Sequence, residues 1–311
     1  MDLVKKLPLL IDEISKVILG KQEVIELTLT AILAQGHVLF EDVPGVGKTL
    51  LVKTISSGIQ MDYNRIQFTP DLLPSDILGV SVYDLKTQEF IFHEGPVFTT
   101  LLLTDEINRT TPKTQAALLE AMAEKSVTID NHTYSLSPHF TVLATQNPFE
   151  YEGTYPLPEA QLDRFLFKLN IGYPDFKDEL NLLLGEKREE IKITPILTLE
   201  ELAFLKEEVK QVYLSEKVAE YALQLVNGTR THDGILLGVS PRGSLDFVQG
   251  AKAYALLKGR DYVTPEDFQH IMLACVSHRI QLKNKDMSNQ EQVSEIIQQI
   301  INRVPIPVRR D

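Results

Sequence analysis

The sequence is poor in cysteine and contains no tryptophan. Its one cysteine, Cys275, stands in the apolar run 271–276, which excludes a disulfide framework and favours a buried structural thiol. No apolar run approaches the length of a membrane span, and the acidic residues near the start do not fit a secretory signal. We therefore expect a cytoplasmic protein without a membrane span.

Basic residues are also in deficit, with 31 Lys and Arg against 43 Asp and Glu and a formal net charge of -12. Such a field repels phosphate backbones, so no nucleic-acid partner is expected, although a local basic groove stays open. Hydrophobic residues make up 43% of the 311 positions and charged residues 24%, as in globular proteins. The length favours two domains.

Short apolar runs alternate with helical patterns through the first half of the chain. The strand candidates, mostly continuous apolar runs, are His37–Phe40, Arg65–Phe68, Thr99–Thr104, Phe140–Thr145 and Phe165–Ile171. Because helices separate several of them, the pattern predicts an α/β fold with a doubly wound parallel sheet. Two hairpins, one within about residues 78–98 and one at 127–136, are expected as decorations on this sheet.

The pattern changes after Ile171, where Gly172 and Pro174 interrupt the last strand candidate. Helix-start patterns then follow, including a capping box at Thr198–Glu201 and proline-containing starts at residues 240 and 264. We predict an α/β core over residues 1–173, an all-helical second domain over 174–304 and a loose tail over 305–311.

A glycine-rich turn, Gly45-Val46-Gly47-Lys48-Thr49, lies between the first strand candidate and a helix that continues through Leu50. A turn that starts a helix presents backbone N–H groups and the positive end of the helix to an anion. Lys48 can reach the β- and γ-phosphates of ATP, and the Thr49 hydroxyl can bind Mg²⁺. The alternative is an ordinary glycine turn.

One position departs from the full phosphate-loop pattern, which would place its first glycine where this chain has Asp42. Aspartate tolerates left-handed backbone better than most residues. We therefore expect the turn to form if the Asp42 carboxylate points away from the phosphates.

A second carboxylate pair follows the strand candidate 99–104. Asp105 is expected to hold the Mg²⁺ shell, and Glu106 to orient or deprotonate the attacking water. The alternative is a solvated acidic pair that caps the strand. With the phosphate loop also present, the two motifs together predict ATP hydrolysis.

These residues resemble the MoxR-type ATPases of the AAA+ class. The similar segments are Glu41–Thr49, Asp105–Arg109, Lys113–Met122, Ala144–Pro148, Gly153–Phe165 and Ser240–Arg242. The resemblance covers most of the chain, and Asp42 in place of glycine agrees with it. It implies a P-loop AAA+ core with a hairpin inserted in the region of its second helix, followed by a helical lid.

The resemblance also assigns roles to three polar residues. Asn147 would be the sensor that positions the attacking water, with a simple strand-terminal turn as the alternative. Arg164 would be an arginine finger that points into the next subunit's site, with a surface salt bridge to Asp163 or Glu159 as the alternative.

Arg242 would contact the γ-phosphate of its own subunit as the helical domain closes. Its place in the first turn of a helix supports an anion opposite it, and an ion pair with a nearby carboxylate is the alternative.

Further expectations come from the resemblance alone. Ile18 and Gly20 match where the family places its adenine contact, and the hairpin at about 80–93 matches an insert that faces the ring pore. An arginine finger implies a homo-oligomeric ring, expected to be a hexamer, and the family suggests a partner with a von Willebrand A-type domain. Arg109 receives no assigned role, and the client protein is not identified.

Four functions remain open on the sequence. The first is a ring ATPase that remodels or matures client proteins. The second is a DNA-directed AAA+ motor, disfavoured by the acidic charge. The third is the ATPase subunit of a metal-chelatase complex, and the fourth is a scaffold that binds ATP without useful turnover.

Overall fold

The strands of the computed structural model are mostly short, and five of them form one parallel sheet. The structure describes residues 3–43, 45–148, 153–173, 176, 179–180, 193–283 and 290–307. The strands are β1 (Val38–Glu41), β2 (Tyr63–Gln67), β3 (Gly79–Asp84), β4 (Glu89–Glu94), β5 (Leu101–Asp105), β6 (Ser126–Ile129), β7 (His132–Ser135), β8 (Thr141–Gln146), β9 (Phe167–Leu169), β10 (Ile235–Leu237) and β11 (Gln281–Leu282). The parallel sheet has the order β2-β5-β8-β1-β9.

Helices cover this sheet and form most of the chain that follows it. They are α1 (Lys6–Ser15), α2 (Gln22–Leu33), α3 (Lys48–Gly58), α4 (Pro74–Leu78), α5 (Pro112–Glu124), α6 (Glu159–Leu162), α7 (Leu199–Gln211), α8 (Glu216–Thr231), α9 (Pro241–Leu257), α10 (Pro265–Val276) and α11 (Gln290–Arg303). A short 3₁₀ turn spans Ile107–Arg109.

Successive side chains of the central strands enter two different hydrophobic clusters. Phe40 and Leu103 pack in a cluster with α1, α2, α3 and helices of the second half of the chain. Leu39 and Leu102, their neighbours in sequence, pack in the other cluster with α5. Because side chains alternate across a strand, both faces of the sheet are buried, which confirms the predicted doubly wound architecture.

Strand β1 begins at Val38, one residue later than predicted, and the side chain of His37 bonds to two neighbouring segments. The imidazole Nδ1 accepts a hydrogen bond from the Val142 backbone N–H at 2.9 Å, and Nε2 lies 3.3 Å from the Met122 carbonyl oxygen. The ring is fully enclosed, and burial lowers the pKa of His37 to about 4. His37 is therefore neutral, and its two ring nitrogens link Val142 and Met122 at the amino end of the sheet.

Strand β9 is shorter than the predicted run Phe165–Ile171, because the flanking backbone groups bond to side chains. The carbonyls of Phe165 and Leu166 accept from Arg279, and the N–H of Ile171 donates to Asp42. Apolar character alone overestimates a strand whose ends are bound by polar side chains.

Both predicted hairpins are present. Strands β3 and β4 pair antiparallel from Gly79 opposite Glu94 to Asp84 opposite Glu89, within the predicted insert. Strands β6 and β7 turn at Asp130 and Asn131, which both have positive φ, at 49° and 65°.

The second half of the described chain is a helical lid that packs on the core through α9 and α2. Its predicted helix starts are observed, since the Thr198 hydroxyl accepts from the Glu201 N–H and Ser240 Oγ accepts from the Gly243 N–H. One feature differs from the all-helical prediction: β10 and β11 form a short antiparallel ladder. Strands of two and three residues are too short to show a sequence periodicity.

Parts of the predicted boundaries fall outside the described residues, namely Pro44 of the glycine turn, residues 174–175 next to the proposed domain boundary and residues 308–311 of the tail. Over the residues that are described, no helix combines the length and the apolar character needed to cross a bilayer. The thiol of Cys275 is buried, as expected.

A lysine is buried without a partner where α7 packs. Lys206 is 1% exposed, and its Nζ has no hydrogen-bond partner among the described residues. Burial, together with the neighbouring charge of Lys125, lowers the pKa of this amine to about 7. Since an unfolded lysine has a pKa of about 10.4, the unfolded chain binds more protons between about pH 7 and pH 10.

Stability should therefore increase with pH through that window. We expect Lys206→Met to raise the midpoint of thermal unfolding at pH 7.5 and to flatten its rise up to pH 10, because the unpaired amine is no longer desolvated. Lys210→Met, on the same helix at an exposed position paired with Glu207, is the matched control and should change little. A lower midpoint for Lys206→Met would show that this amine is stabilising.

Candidate functional site

The glycine turn forms an open cradle at the start of α3. Gly45 and Gly47 have φ of 89° and 91°, a conformation that other residues rarely adopt. A Cβ atom built on either glycine would meet no protein atom within 4 Å. The cradle therefore opens to solvent at a helix N-terminus, which is the geometry that binds phosphate groups. Thr49 lies in the first turn of α3, Val46 packs against the core and Leu50 is 45% exposed.

The carboxylate of Asp42 points away from the cradle. Its Oδ2 accepts from the Ile171 N–H at 2.5 Å, and its Oδ1 accepts from the Gly172 N–H at 3.1 Å. The side chain is 8% exposed, so these bonds are largely shielded from water. The expected orientation is confirmed, and Asp42 ties the loop to the chain that follows β9.

Lys48 bends back across the loop. Its Nζ donates to the Asp42 carbonyl oxygen at 2.9 Å. Burial lowers the pKa of Lys48, while the carboxylates of Asp42, Asp105 and Glu106 oppose that shift. The ammonium group therefore lies in the field of all three carboxylates, as expected for the lysine of a phosphate site.

Asp105 ends β5 beside two polar groups of neighbouring strands. Arg65 Nε donates to its Oδ2 at 2.6 Å, and the Thr145 hydroxyl donates to its Oδ1 at 3.4 Å. Sequence reasoning missed Arg65. The detectable pattern was polar Arg65 and Gln67 alternating around buried Ile66 in β2, which places both side chains on the same face.

Glu106 has a left-handed backbone conformation, with φ of 57°. Its N–H donates to the Thr145 hydroxyl at 2.9 Å, and its Oε2 accepts from Gln67 Nε2 at 2.8 Å. The same oxygen lies 3.1 Å from Arg109 Nε. Arg109, which had no role on the sequence, thus contacts the predicted water-activating carboxylate together with Gln67, while Thr145 holds the Glu106 backbone.

Asn147 follows β8 directly, next to the carboxyl end of β5. It is 7% exposed, and its backbone carbonyl oxygen accepts from Asn108 Nδ2 at 3.4 Å. Parallel pairing of β5 with β8 thus brings Asn147 to the same edge of the sheet as Asp105.

The predicted adenine segment lies beside the loop. Lys21 Nζ donates to the Tyr173 carbonyl oxygen at 2.7 Å, next to the residues that hold Asp42. Ile18 is 8% exposed, and Gly20 has a φ of 65°. Lys21 thus reaches the chain segment that holds Asp42, while the adenine contact of Ile18 and Gly20 stays a prediction.

The residues at this edge fit MgATP. Mg²⁺ bound with a nucleotide takes one or two protein ligands, together with phosphate oxygens and water. The Thr49 hydroxyl and the Asp105 carboxylate meet that requirement, and the described residues contain no group of three or more His, Cys, Asp or Glu that would hold a cation alone. These two oxygen ligands thus suit a cation that binds together with the phosphates of a nucleotide.

The other predicted arginines lie at the opposite edge of the sheet. Arg164 and Arg242 line one cavity of about 190 Å³, together with Gly36, His37 and Asp246. We call this space the arginine cavity. Gly36 and His37 precede β1, whereas the phosphate cradle follows it, and β1 is four residues long, roughly 13 Å.

Arg164 does not form the surface salt bridge considered as its alternative role. Its Nη1 donates to the Leu119 carbonyl oxygen at 2.5 Å, while Asp163 pairs with Arg279. Arg164 thus points away from its own phosphate cradle, which is the orientation expected of a group that serves a neighbouring subunit.

The structure places Arg242 at the amino edge of the sheet, away from the cradle of its own subunit, so the predicted contact with the γ-phosphate of that subunit is absent from this arrangement. The start of α9 docks on residues 163–166, where the Ser240 hydroxyl donates to Asp163 Oδ2 at 3.2 Å. This contact holds Arg242 at the amino edge of the sheet, with β1 between it and its own cradle. A nearby carboxylate is also present, since Asp246 lies in the same cavity. Burial raises the pKa of its carboxyl, and the charges of Arg279 and Arg242 oppose that shift.

A parallel sheet with a phosphate loop after its β1 strand and a helical lid behind it defines the AAA+ class of ATPases. Residues 37–167 match the family model described as the ATPase family associated with various cellular activities, and residues 227–300 match the AAA lid domain. A crystal structure of a presumptive ATPase from Cytophaga hutchinsonii superposes with a TM-score of 0.89 at 39% identity, covering 98% of this chain and 96% of that one.

Curated relatives narrow the assignment. Chaperone MoxR1 of Mycobacterium tuberculosis is 38% identical over 95% of this chain and 81% of its own length, and MoxR of Methylorubrum extorquens is 30% identical over 95% and 93%. An uncharacterised Bacillus subtilis protein, YeaC, is 51% identical over 96% and 94%. The chain belongs to the MoxR family of AAA+ ATPases.

The tie between Asp42 and the chain after β9 yields a test of the phosphate loop. Asp42→Gly restores the glycine of the general loop pattern but removes two hydrogen bonds to a charged acceptor, worth about 1.5–3 kcal/mol each. We expect the Kd for ATP to rise about tenfold, because the loop loses its fixed position.

Titration with a fluorescent ATP analogue measures this effect. Asp130→Gly, in the hairpin turn at positive φ, is the matched control and should bind ATP normally. Unchanged or tighter binding by Asp42→Gly would show that the carboxylate does not hold the loop.

Proposed function

We propose that this chain hydrolyses ATP at sites shared between neighbouring copies in a ring, expected to be a hexamer. The observation that carries the proposal is the position of Arg164 and Arg242 in one cavity at the sheet edge opposite the phosphate cradle. Side chains at that edge cannot serve the phosphates of their own subunit. A head-to-tail ring brings one subunit's arginine edge to the next subunit's cradle.

In this site, bound MgATP supplies the phosphoanhydride bond that is cleaved and the cation that offsets its charge. Backbone N–H groups of residues 45–49 and Lys48 would bind the phosphates, and Thr49 with Asp105 would hold Mg²⁺. The Glu106 carboxylate accepts a proton from the water that Asn147 orients. Arg164 and Arg242 of the adjacent copy stabilise the charge that develops on the transferred phosphoryl group.

The energy of hydrolysis is used to remodel or mature a client protein in the cytoplasm, with a von Willebrand A-domain protein as partner. The names of the relatives support the remodelling role, since two of them are MoxR proteins and one of these is called a chaperone. In the hairpin β3–β4, Leu85 is 84% and Phe90 73% exposed, which suits contact with an unfolded segment. No observation at the site favours a metal-chelatase subunit or a DNA motor.

The first test removes the proposed base. Glu106→Gln keeps the shape of the side chain and its contact with Gln67, but it cannot accept a proton. We expect turnover to fall about 10²- to 10⁴-fold while ATP affinity stays normal. Steady-state phosphate release and equilibrium nucleotide binding measure the two effects.

The control is Glu220→Gln, an exposed residue of α8, which should retain full activity. Normal turnover in Glu106→Gln would remove this residue from its role. If the role holds, the variant stays loaded with ATP and becomes the form in which to isolate a bound client.

Mixed rings test which subunit supplies Arg242. We expect Arg164→Ala and Arg242→Ala each to lose about 10³-fold or more in turnover. Mixing either of them equally with Glu106→Gln subunits should restore about one site in four, because the intact loop and the intact arginines then meet at one interface.

A mixture of Arg164→Ala with Arg242→Ala distinguishes the two assignments of Arg242. If both arginines come from the same neighbour, no interface has both, and no activity returns. Recovery in this mixture would mean that Arg242 acts on its own subunit's nucleotide, contrary to the proposal.

A further inference from the structure

A buried guanidinium group lies directly behind the arginine cavity. Arg279 follows α10, and its side chain is 1% exposed. The Arg279 side chain cannot reach a nucleotide in its own cradle, and it takes no part in the proposed hydrolysis step. Its contacts nevertheless join the two segments that carry Arg164 and Arg242.

All three guanidinium nitrogens of Arg279 are engaged. Nε donates to Asp163 Oδ1 at 2.8 Å, and Nη2 donates to Asp246 Oδ2 at 2.6 Å. The remaining bonds go to backbone oxygens of Asp163, Phe165, Leu166 and Cys275 at 2.8–3.3 Å and to Cys275 Sγ at 2.9 Å. Such a fixed fork of donors is specific to arginine, and a lysine could satisfy only part of it.

The partners of Arg279 are neighbours of the two functional arginines. Asp163 immediately precedes Arg164, and Asp246 lies one helical turn after Arg242 on α9. A second contact reinforces the same junction, since Ser240 at the start of α9 donates to the other oxygen of Asp163. Arg164 and Arg242 thus lie on separate segments that meet through one charged cluster.

The charged groups of this cluster stabilise one another, so the loss of one leaves the others unpaired. Burial opposes the charged form of Arg279, yet the surrounding sulfur and carboxylate groups still raise the pKa of its guanidinium. Burial raises the pKa of Asp246, and Arg279 and Arg242 oppose that shift. Removing the guanidinium would leave two partly buried carboxylates facing each other, and the segments would separate.

We propose that Arg279 is a positioning residue that holds Arg164 and Arg242 in one arrangement, so that both act on a single neighbouring site. This inference rests on the proposed shared site. A displacement of about 1 Å in a group that must contact the transition state costs about 10²-fold in rate. Arg279 therefore affects turnover at the neighbour's site and not nucleotide binding in its own subunit.

The test uses Arg279→Met in the full chain. We expect kcat for ATP hydrolysis to fall about 10²-fold while the KM for ATP changes little, because the cradle is remote from the cluster. Mixed equally with Glu106→Gln subunits, Arg279→Met should regain activity; mixed with Arg164→Ala subunits, it should not. Arg279→Lys, which keeps the charge without the fork, should retain an intermediate rate.

Two further variants separate positioning from folding. Asp246→Asn weakens one arm of the cluster at a side chain that is 32% exposed, so it should fold and show the same complementation pattern with a smaller loss. Lys258→Met is the matched control, since it breaks another ion pair between lid and core, Lys258–Glu26 at 2.7 Å, away from the arginine cavity. It should leave kcat nearly unchanged.

The outcomes are distinct. The inference is overturned if Arg279→Met or Asp246→Asn regains ATPase activity when mixed with Arg164→Ala subunits but not when mixed with Glu106→Gln subunits. That pattern would place the defect in the nucleotide site of the variant's own subunit. An equal loss in Lys258→Met would also overturn it, since any weakened lid contact would then suffice. If even Arg164→Ala fails to recover with Glu106→Gln, the shared site itself is wrong.

Discussion

Parallel pairing of β1 with both β8 and β9 is the constraint on which the site depends. Because all strands of this sheet run in one direction, the loops after β1, β5 and β8 meet at one edge, while the segments before β1 and β9 meet at the other. Lys48, Asp105 and Asn147 gather at the first edge and Arg164 at the second. No side-chain rearrangement within one subunit can bring these groups together across the sheet.

Side-chain contacts connect each edge of the sheet to a different part of the chain. Asp42 joins the phosphate loop to the chain after β9 through two backbone N–H groups, so the loop cannot shift without β9. At the amino edge, Arg279 joins the chain before β9 to α9 and α10 of the lid. Strand β9 is therefore coupled at one end to the nucleotide cradle and at the other to the lid. One short strand thus carries polar contacts to the nucleotide loop after its end and to the lid before its start.

Local patterns in the sequence predicted much of the fold and of the candidate site. The glycine turn, the Asp105-Glu106 pair and the helix caps depend on residues a few positions apart, and the structure contains all of them. Arg65 was missed because its partner, Asp105, is 40 positions away. The side on which Arg242 lies depends on Arg279, which meets Asp163 across 116 positions. Docking of a lid through such distant polar contacts has no local periodicity to reveal it.

Charge is distributed between the two edges in a way that favours assembly of copies head to tail. The overall charge of -12 makes identical subunits repel one another. Without nucleotide, Asp105 and Glu106 pair with Arg65 and Arg109 at the phosphate edge, and Lys48 lies near both carboxylates. The net negative charge at this edge therefore arrives with ATP, whereas the arginine cavity presents Arg164, Arg242 and Lys125 beside Asp246. With ATP bound, the two edges would differ in sign, and this difference would offset the general repulsion only for a heterologous contact, since an isologous one would pair like with like. In the proposed ring, nucleotide binding would therefore strengthen the attraction at the interface that the arginines serve.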